Sequence, residues 1–156
     1  MTNTPYHYTE CGLDNIYLVN GFRFIETPRG KSVSINDVDG LHKAIGLCLV
    51  KSQKDFSGEE VCFLRHEMLM SQRTLANLLG ISEQAIRRWE NGQTQIPKPS
   101  ESLLRLLYQE HVNDQSGRIA STLRRIANLE EKINDEHHLL CFKDTENGWQ
   151  TVQTAA

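Results

Sequence analysis

Ser71–Gly92, SQRTLANLLGISEQAIRRWENG, reads as two short helices joined by a tight turn. Ser71 is placed to N-cap the first helix, its hydroxyl accepting free amide hydrogens of the first turn. Gly80 can end that helix in the left-handed conformation that glycine adopts without penalty. Ser82 then caps the second helix. Leu75, Leu79, Ile81, Ile86 and Trp89 supply the apolar set, and Ala76 is small where the two helices must approach closely.

The polar face of the second helix carries Ser82, Glu83, Gln84, Arg87 and Arg88. A glutamine amide pairs bidentately with adenine and an arginine with guanine, so this face suits the major groove of double-stranded DNA. The competing structural reading is an ordinary helical hairpin with a solvated polar side. Glu83 is awkward beside phosphates unless it accepts from a cytosine amine or pairs with Arg87, four residues on. Asn91, Gln93 and Thr94, just past the second helix, can offer amides and hydroxyls to backbone phosphates, which position a protein while base contacts specify the sequence.

The wider run Val61–Tyr108 contains LRxxxxxSQxxLAxLLGIS and then RWExG with a proline-bearing loop. In these motifs it resembles the helix-turn-helix domain shared by lambdoid phage repressors, the bacterial Xre class and MqsA- or HigA-type antitoxins. The resemblance implies a structural ion pair between Arg65 and Glu90 and base reading by Gln84 and Arg88, with Arg87 next. It places Gln72 against phosphate or a nearby base, and Ser82 and Glu83 at the groove edge. It also implies a sequence-specific regulator, a dimeric repressor on an inverted-repeat operator. The alternatives are an antitoxin that also binds a toxin protein, or a protein-interaction adaptor without DNA binding.

Around this segment the expected architecture is α+β. Residues 1–56 read as a β-rich module with one helix, 57–112 as a five-helix-type repressor-like domain, and 113–156 as a C-terminal helix and hairpin that is a candidate dimerisation element. In the first part, IYLV and FRFIET flank Asn20-Gly21, a strong signal for a hairpin turn. KSVSI is a third candidate strand after the turn at Pro28–Gly30, and Asn36 is placed to cap a helix from Asp37 to about Leu49. The segment from His7 to Phe22 also resembles modules that precede repressor-like domains in bacterial proteins. Leu103, Leu104, Leu106 and Leu107 are expected to close the helical core. Ile119, Leu123, Ile126, Leu129 and Ile133 make a narrow stripe, suited to a dimer seam or to a helix covering the N-terminal sheet. LLCFK and WQTV around Glu146–Gly148 suggest a terminal hairpin that joins that sheet or exchanges with a partner chain.

Charge and composition restrict the function classes. The 156-residue chain has a formal net charge of −3 and is 38% hydrophobic, ordinary for a globular protein. Between Arg65 and Arg105, however, six Lys or Arg face four Glu, whereas from Glu130 to Glu146 six acids face two lysines. With so small a basic surplus, useful DNA occupancy calls for a homodimer engaging two half-sites. No apolar run approaches a membrane span and no secretory leader is legible, so a cytoplasmic protein is expected. Cys11, Cys48, Cys62 and Cys141 contain no CxxC spacing, and His7 with Cys11 is the nearest pair of ligand types in the N-terminal segment; no metal and no cofactor are expected. His7, Glu10, Cys11, Asp14 and His42 carry catalytic chemistry in principle, but no GxSxG, HExxH or P-loop spacing organises them, and no enzyme is expected.

Overall fold

The computed structural model describes residues 4–113, 118–133 and 141–152. Among them the chain forms three two-stranded antiparallel hairpins and six helices. β1 (Tyr6–Tyr8) pairs with β2 (Ile16–Leu18), and β3 (Phe22–Thr27) with β4 (Gly30–Ile35). Then come α1 (Val38–Lys51), α2 (Gly58–Glu67), α3 (Gln72–Leu79), α4 (Glu83–Glu90), α5 (Lys98–Val112) and α6 (Arg118–Ile133). β5 (Cys141–Thr145) and β6 (Gly148–Val152) close a hairpin through Glu146 and Asn147.

The strands differ from expectation in their pairing. Asn20-Gly21 links two hairpins rather than turning one, because β2 folds back on β1 and puts Tyr8, Leu13 and Leu18 inside. The Gly21 carbonyl instead accepts from the Asn36 amide at 2.8 Å and closes the base of the β3–β4 hairpin. The cap of α1 also moves by one residue. Asp37, in the left-handed region at φ 46°, accepts from the Gly40 amide at 3.1 Å, a conformation that the short polar side chain of aspartate tolerates. The β5–β6 hairpin is a sheet of its own and adds no strand to the N-terminal hairpins.

Helix boundaries follow from capping. Ser57 and Glu60 form a reciprocal capping box at the start of α2, while Ser71 and Ser82 accept from Thr74 and Ala85 at the starts of α3 and α4. Three consecutive helices end with the same hydrogen-bond pattern, in which a residue of positive φ is followed by an amide reaching back five residues: Met70 to Arg65, Ile81 to Ala76 and Gln93 to Arg88. Gly80 and Gly92 hold the left-handed position in two of them, but Leu69 holds it in the first, at φ 56° and 90% exposed. A β-carbon there costs about 1–2 kcal/mol. α5 starts at Lys98, with Pro99 tolerated in its first turn.

One hydrophobic core joins the N-terminal hairpin residues Tyr8, Leu13 and Leu18 to Ile45, Leu64, Leu75, Ile86, Leu104 and Tyr108 without a break at residue 56. α1 packs on α5 and α2, and α3 on α4. Of the four leucines expected to close this core, Leu104 and Leu107 are buried, whereas Leu106 projects to solvent because 100° per residue cannot turn all four inward. α6 packs on α3 and α5 through Ile119, Ala120 and Leu123, not over the N-terminal strands. Its orientation is pinned by Glu110 of α5, whose carboxylate accepts from the amides of Ile119 and Ala120. Ile126 stays half exposed, and the side chains of Leu129 and Ile133 lie outside the described residues.

A clasp unforeseen from sequence ties α5 to the α1–α2 connection. The Arg105 guanidinium donates to the carbonyls of Leu49, Val50, Ser52 and Lys54 and lies 4.2 Å from the Phe56 ring centre. Glu101, almost fully buried, pairs with Arg105 at 3.4 Å and accepts from the Phe56 amide at 2.8 Å. The Val50 carbonyl at the C-terminus of α1 is thus satisfied by a side chain of another helix, which also joins the Ser52 amide and hydroxyl at the Leu49 carbonyl.

Candidate nucleic-acid interface

The scaffold behind α4 is built on charge. Arg65 Nε donates to Glu90 Oε1 at 2.6 Å and Nη2 to Oε2 at 3.1 Å, a two-point pairing between α2 and the end of α4. Both side chains are about nine-tenths buried. Arg65 also donates to the Met70 carbonyl at 2.9 Å, and Gln72 Nε2 to Glu90 Oε2 at 2.7 Å. Burial pushes the Glu90 carboxyl up, but the hydrogen bonds from Arg65 and Gln72 outweigh it and hold the group below its ordinary range. Arg65 is shifted up in turn, chiefly by its bond to Glu90. The pair joins α2 to the last residue of α4.

On the opposite side of α4, helical periodicity separates two faces within eight residues. Ile86 and Trp89 are buried, while Ser82, Glu83, Gln84, Arg87 and Arg88 are exposed. Gln84, Arg87, Arg88, Asn91 and Gln93 line one open concavity of about 270 Å³, so five of the residues singled out from sequence converge. Thr94 is exposed beside them, its amide and that of Gln93 both bonded to the Arg88 carbonyl, which fixes the loop on the helix. Arg87 is drawn back to Glu83 at 3.3 Å, the intrahelical pair anticipated from their spacing. Among the described residues Arg88 forms no ion pair, so its guanidinium remains available to a ligand. Gln72 is half-buried and one of its amide hydrogens is committed to Glu90; its carbonyl and second hydrogen are left for an outside contact.

Of the residues with catalytic chemistry in principle, Glu10, Cys11 and His42 line one concavity together with Cys62, His66 and Glu67. His7 stacks on Tyr17 at 4.6 Å and its Nε2 meets the Asp14 carbonyl; Glu10 accepts from Tyr6. His42 lies between the Tyr8 hydroxyl at 2.7 Å and Glu67 at 2.9 Å, a chain linking β1, α1 and α2 that the sequence spacing did not reveal. Among the described residues no group of three or more His, Cys, Asp or Glu is placed to hold a metal ion, and no helix is long and apolar enough to cross a membrane.

Comparison with known proteins agrees with this geometry. Residues 64–106, from α2 into α5, match a family model described as Helix-turn-helix, of the Xre and lambda-repressor type. The match points to DNA binding and transcription regulation. No curated protein and no solved structure matched the chain.

Proposed function

We propose that this protein is a sequence-specific DNA-binding transcription regulator of the cytoplasm, acting as a homodimeric repressor and performing no catalysis. The observation that carries the reading is the α4 face, where Gln84 and Arg88 stand exposed and flanked by Asn91 and Gln93 on a helix whose other face is locked into the core. Inserted in the major groove, Arg88 would take guanine and Gln84 adenine through paired hydrogen bonds. Arg87 would exchange Glu83 for a phosphate or base acceptor, and Ser82 and Glu83 would sit at the groove edge. Gln72, Asn91, Gln93 and Thr94 would set the register against phosphates.

Two copies are required by affinity. A net charge of −3 gives little of the phosphate attraction on which non-specific binding depends, so two half-sites must add. Half-exposed Ile126 on α6 and Leu106 on α5 are the apolar groups assigned to the contact between copies. Bound over a promoter, the dimer would exclude polymerase.

Selection from random duplex DNA at stated salt tests the reading. The expected product is an inverted repeat with half-site centres about 10 base pairs, or a multiple of that, apart. Absence of any enriched sequence would overturn it, and enrichment of a single unrepeated site would remove the dimer.

A further inference from the structure

The β3–β4 and β5–β6 hairpins are built on one plan with opposite charge. In each, the threonine hydroxyl before a two-residue turn donates at 2.7 Å to the glycine carbonyl after it, Thr27 to Gly30 and Thr145 to Gly148. From Phe22 to Ile35 three basic residues stand with one acid, Glu26, whereas from Cys141 to Val152 two acids, Asp144 and Glu146, stand with one lysine.

Each hairpin is a sheet of two strands, which is marginal in water unless one face is covered. The register shows which faces are bare. Phe142 opposes Thr151 and Asp144 opposes Trp149, so both aromatic rings and Asp144 share one face of β5–β6. Phe24 opposes Val33 and Glu26 opposes Lys31, so β3–β4 also carries an apolar pair and a charged pair on one face. Phe22 and Ile35 at the base of that face reach the core, but Phe24 stays 64% exposed. β5–β6 has no such anchor. Among the described residues none of its side chains joins the core, all of β6 is exposed, and Phe142 and Trp149 are 56% and 72% exposed. Within one copy, therefore, neither face covers the other.

We propose that β5–β6 of one copy packs the face of Phe142 and Trp149 on the face of Phe24 and Val33 in a second copy, with Asp144 against Lys31, and that the exchange is reciprocal about a two-fold axis. It rests on the homodimer inferred above and states how the two chains are joined. Opposite net charge selects β3–β4 as the receiving surface over a second β5–β6, which would bring the acids of both copies together. α6, which precedes the terminal hairpin, packs on α3 and α5 and not over the N-terminal strands, which favours the β3–β4 of a second copy over its own.

Sedimentation equilibrium of the full chain without DNA tests the exchange. Trp149→Ala should weaken the dimer about tenfold or more. Lys31→Glu and Asp144→Lys should each do the same, and an equimolar mixture of those two variants should recover wild-type association, because each copy then meets the opposite charge on the other. These side chains lie outside the core, so circular dichroism and melting of the variants should match the wild type. A wild-type chain that stays monomeric would remove the homodimer and this contact with it. A dimer indifferent to Trp149→Ala and Lys31→Glu would overturn the exchange alone, and a mixture that does not recover would overturn the pairing of Asp144 with Lys31 between copies.

Discussion

The two faces of the α3–α4 pair use the same residue types to opposite ends. Inside, a guanidinium, a carboxylate and a glutamine amide close on one another in Arg65, Glu90 and Gln72, and most of their hydrogen-bonding capacity is consumed. Outside, Gln84 and Arg88 present the same amide and guanidinium groups to solvent, and Arg87 is only loosely engaged by Glu83. Chemical type therefore does not separate scaffold from recognition. What separates them is whether the partner is supplied by the fold.

Breaking the inner face should have the largest effect. Arg65→Ala leaves the Glu90 carboxylate buried without its partner and should cost about 3–5 kcal/mol, measured by urea unfolding. The same contact sets an acid limit. Because the folded state holds the Glu90 carboxyl below its ordinary value, its contribution is complete above the unfolded value of about 4.3 and is lost as pH falls through the lower folded value. Unfolding midpoints followed from pH 6 to pH 2 should thus drop in the wild type and be flatter in Glu90→Gln.

On the outer face, Arg88→Ala should leave the melting temperature unchanged and cost about 1–3 kcal/mol of operator affinity, relaxing base preference at one position per half-site. A mutant that binds operator and scrambled duplexes just as the wild type does would place recognition elsewhere. Leu69→Gly sharpens the contrast from a third position, since it touches neither face and should stabilise the fold by about 1 kcal/mol by relieving the left-handed leucine. The smallest change is expected from Glu83→Gln, which removes an exposed helical pair worth about 0.3–0.5 kcal/mol and frees Arg87; DNA affinity at low salt should rise.

How far the sequence could be read depended on whether a feature is local. Ser71, Ser82 and Gly80 act within four or five residues of themselves, and the α3–α4 pair follows from them directly. Arg65 with Glu90 spans 25 positions and was reached only through the resemblance. The Asn20-Gly21 turn was misassigned because its local signal is real but the choice of partner strand was made by burial of Tyr8 and Leu18. Arg105 left no legible signal, since its acceptors are backbone carbonyls that any residue supplies.

The grip of Arg105 on the end of α1 has a kinetic corollary. Helix ends ordinarily fray on their own, but the last turn of α1 cannot release its carbonyls to water unless α5 lets go of them. Amide protons of α1 and α5 should accordingly exchange with deuterium as one cooperative unit, although the three helices α2, α3 and α4 separate them along the chain.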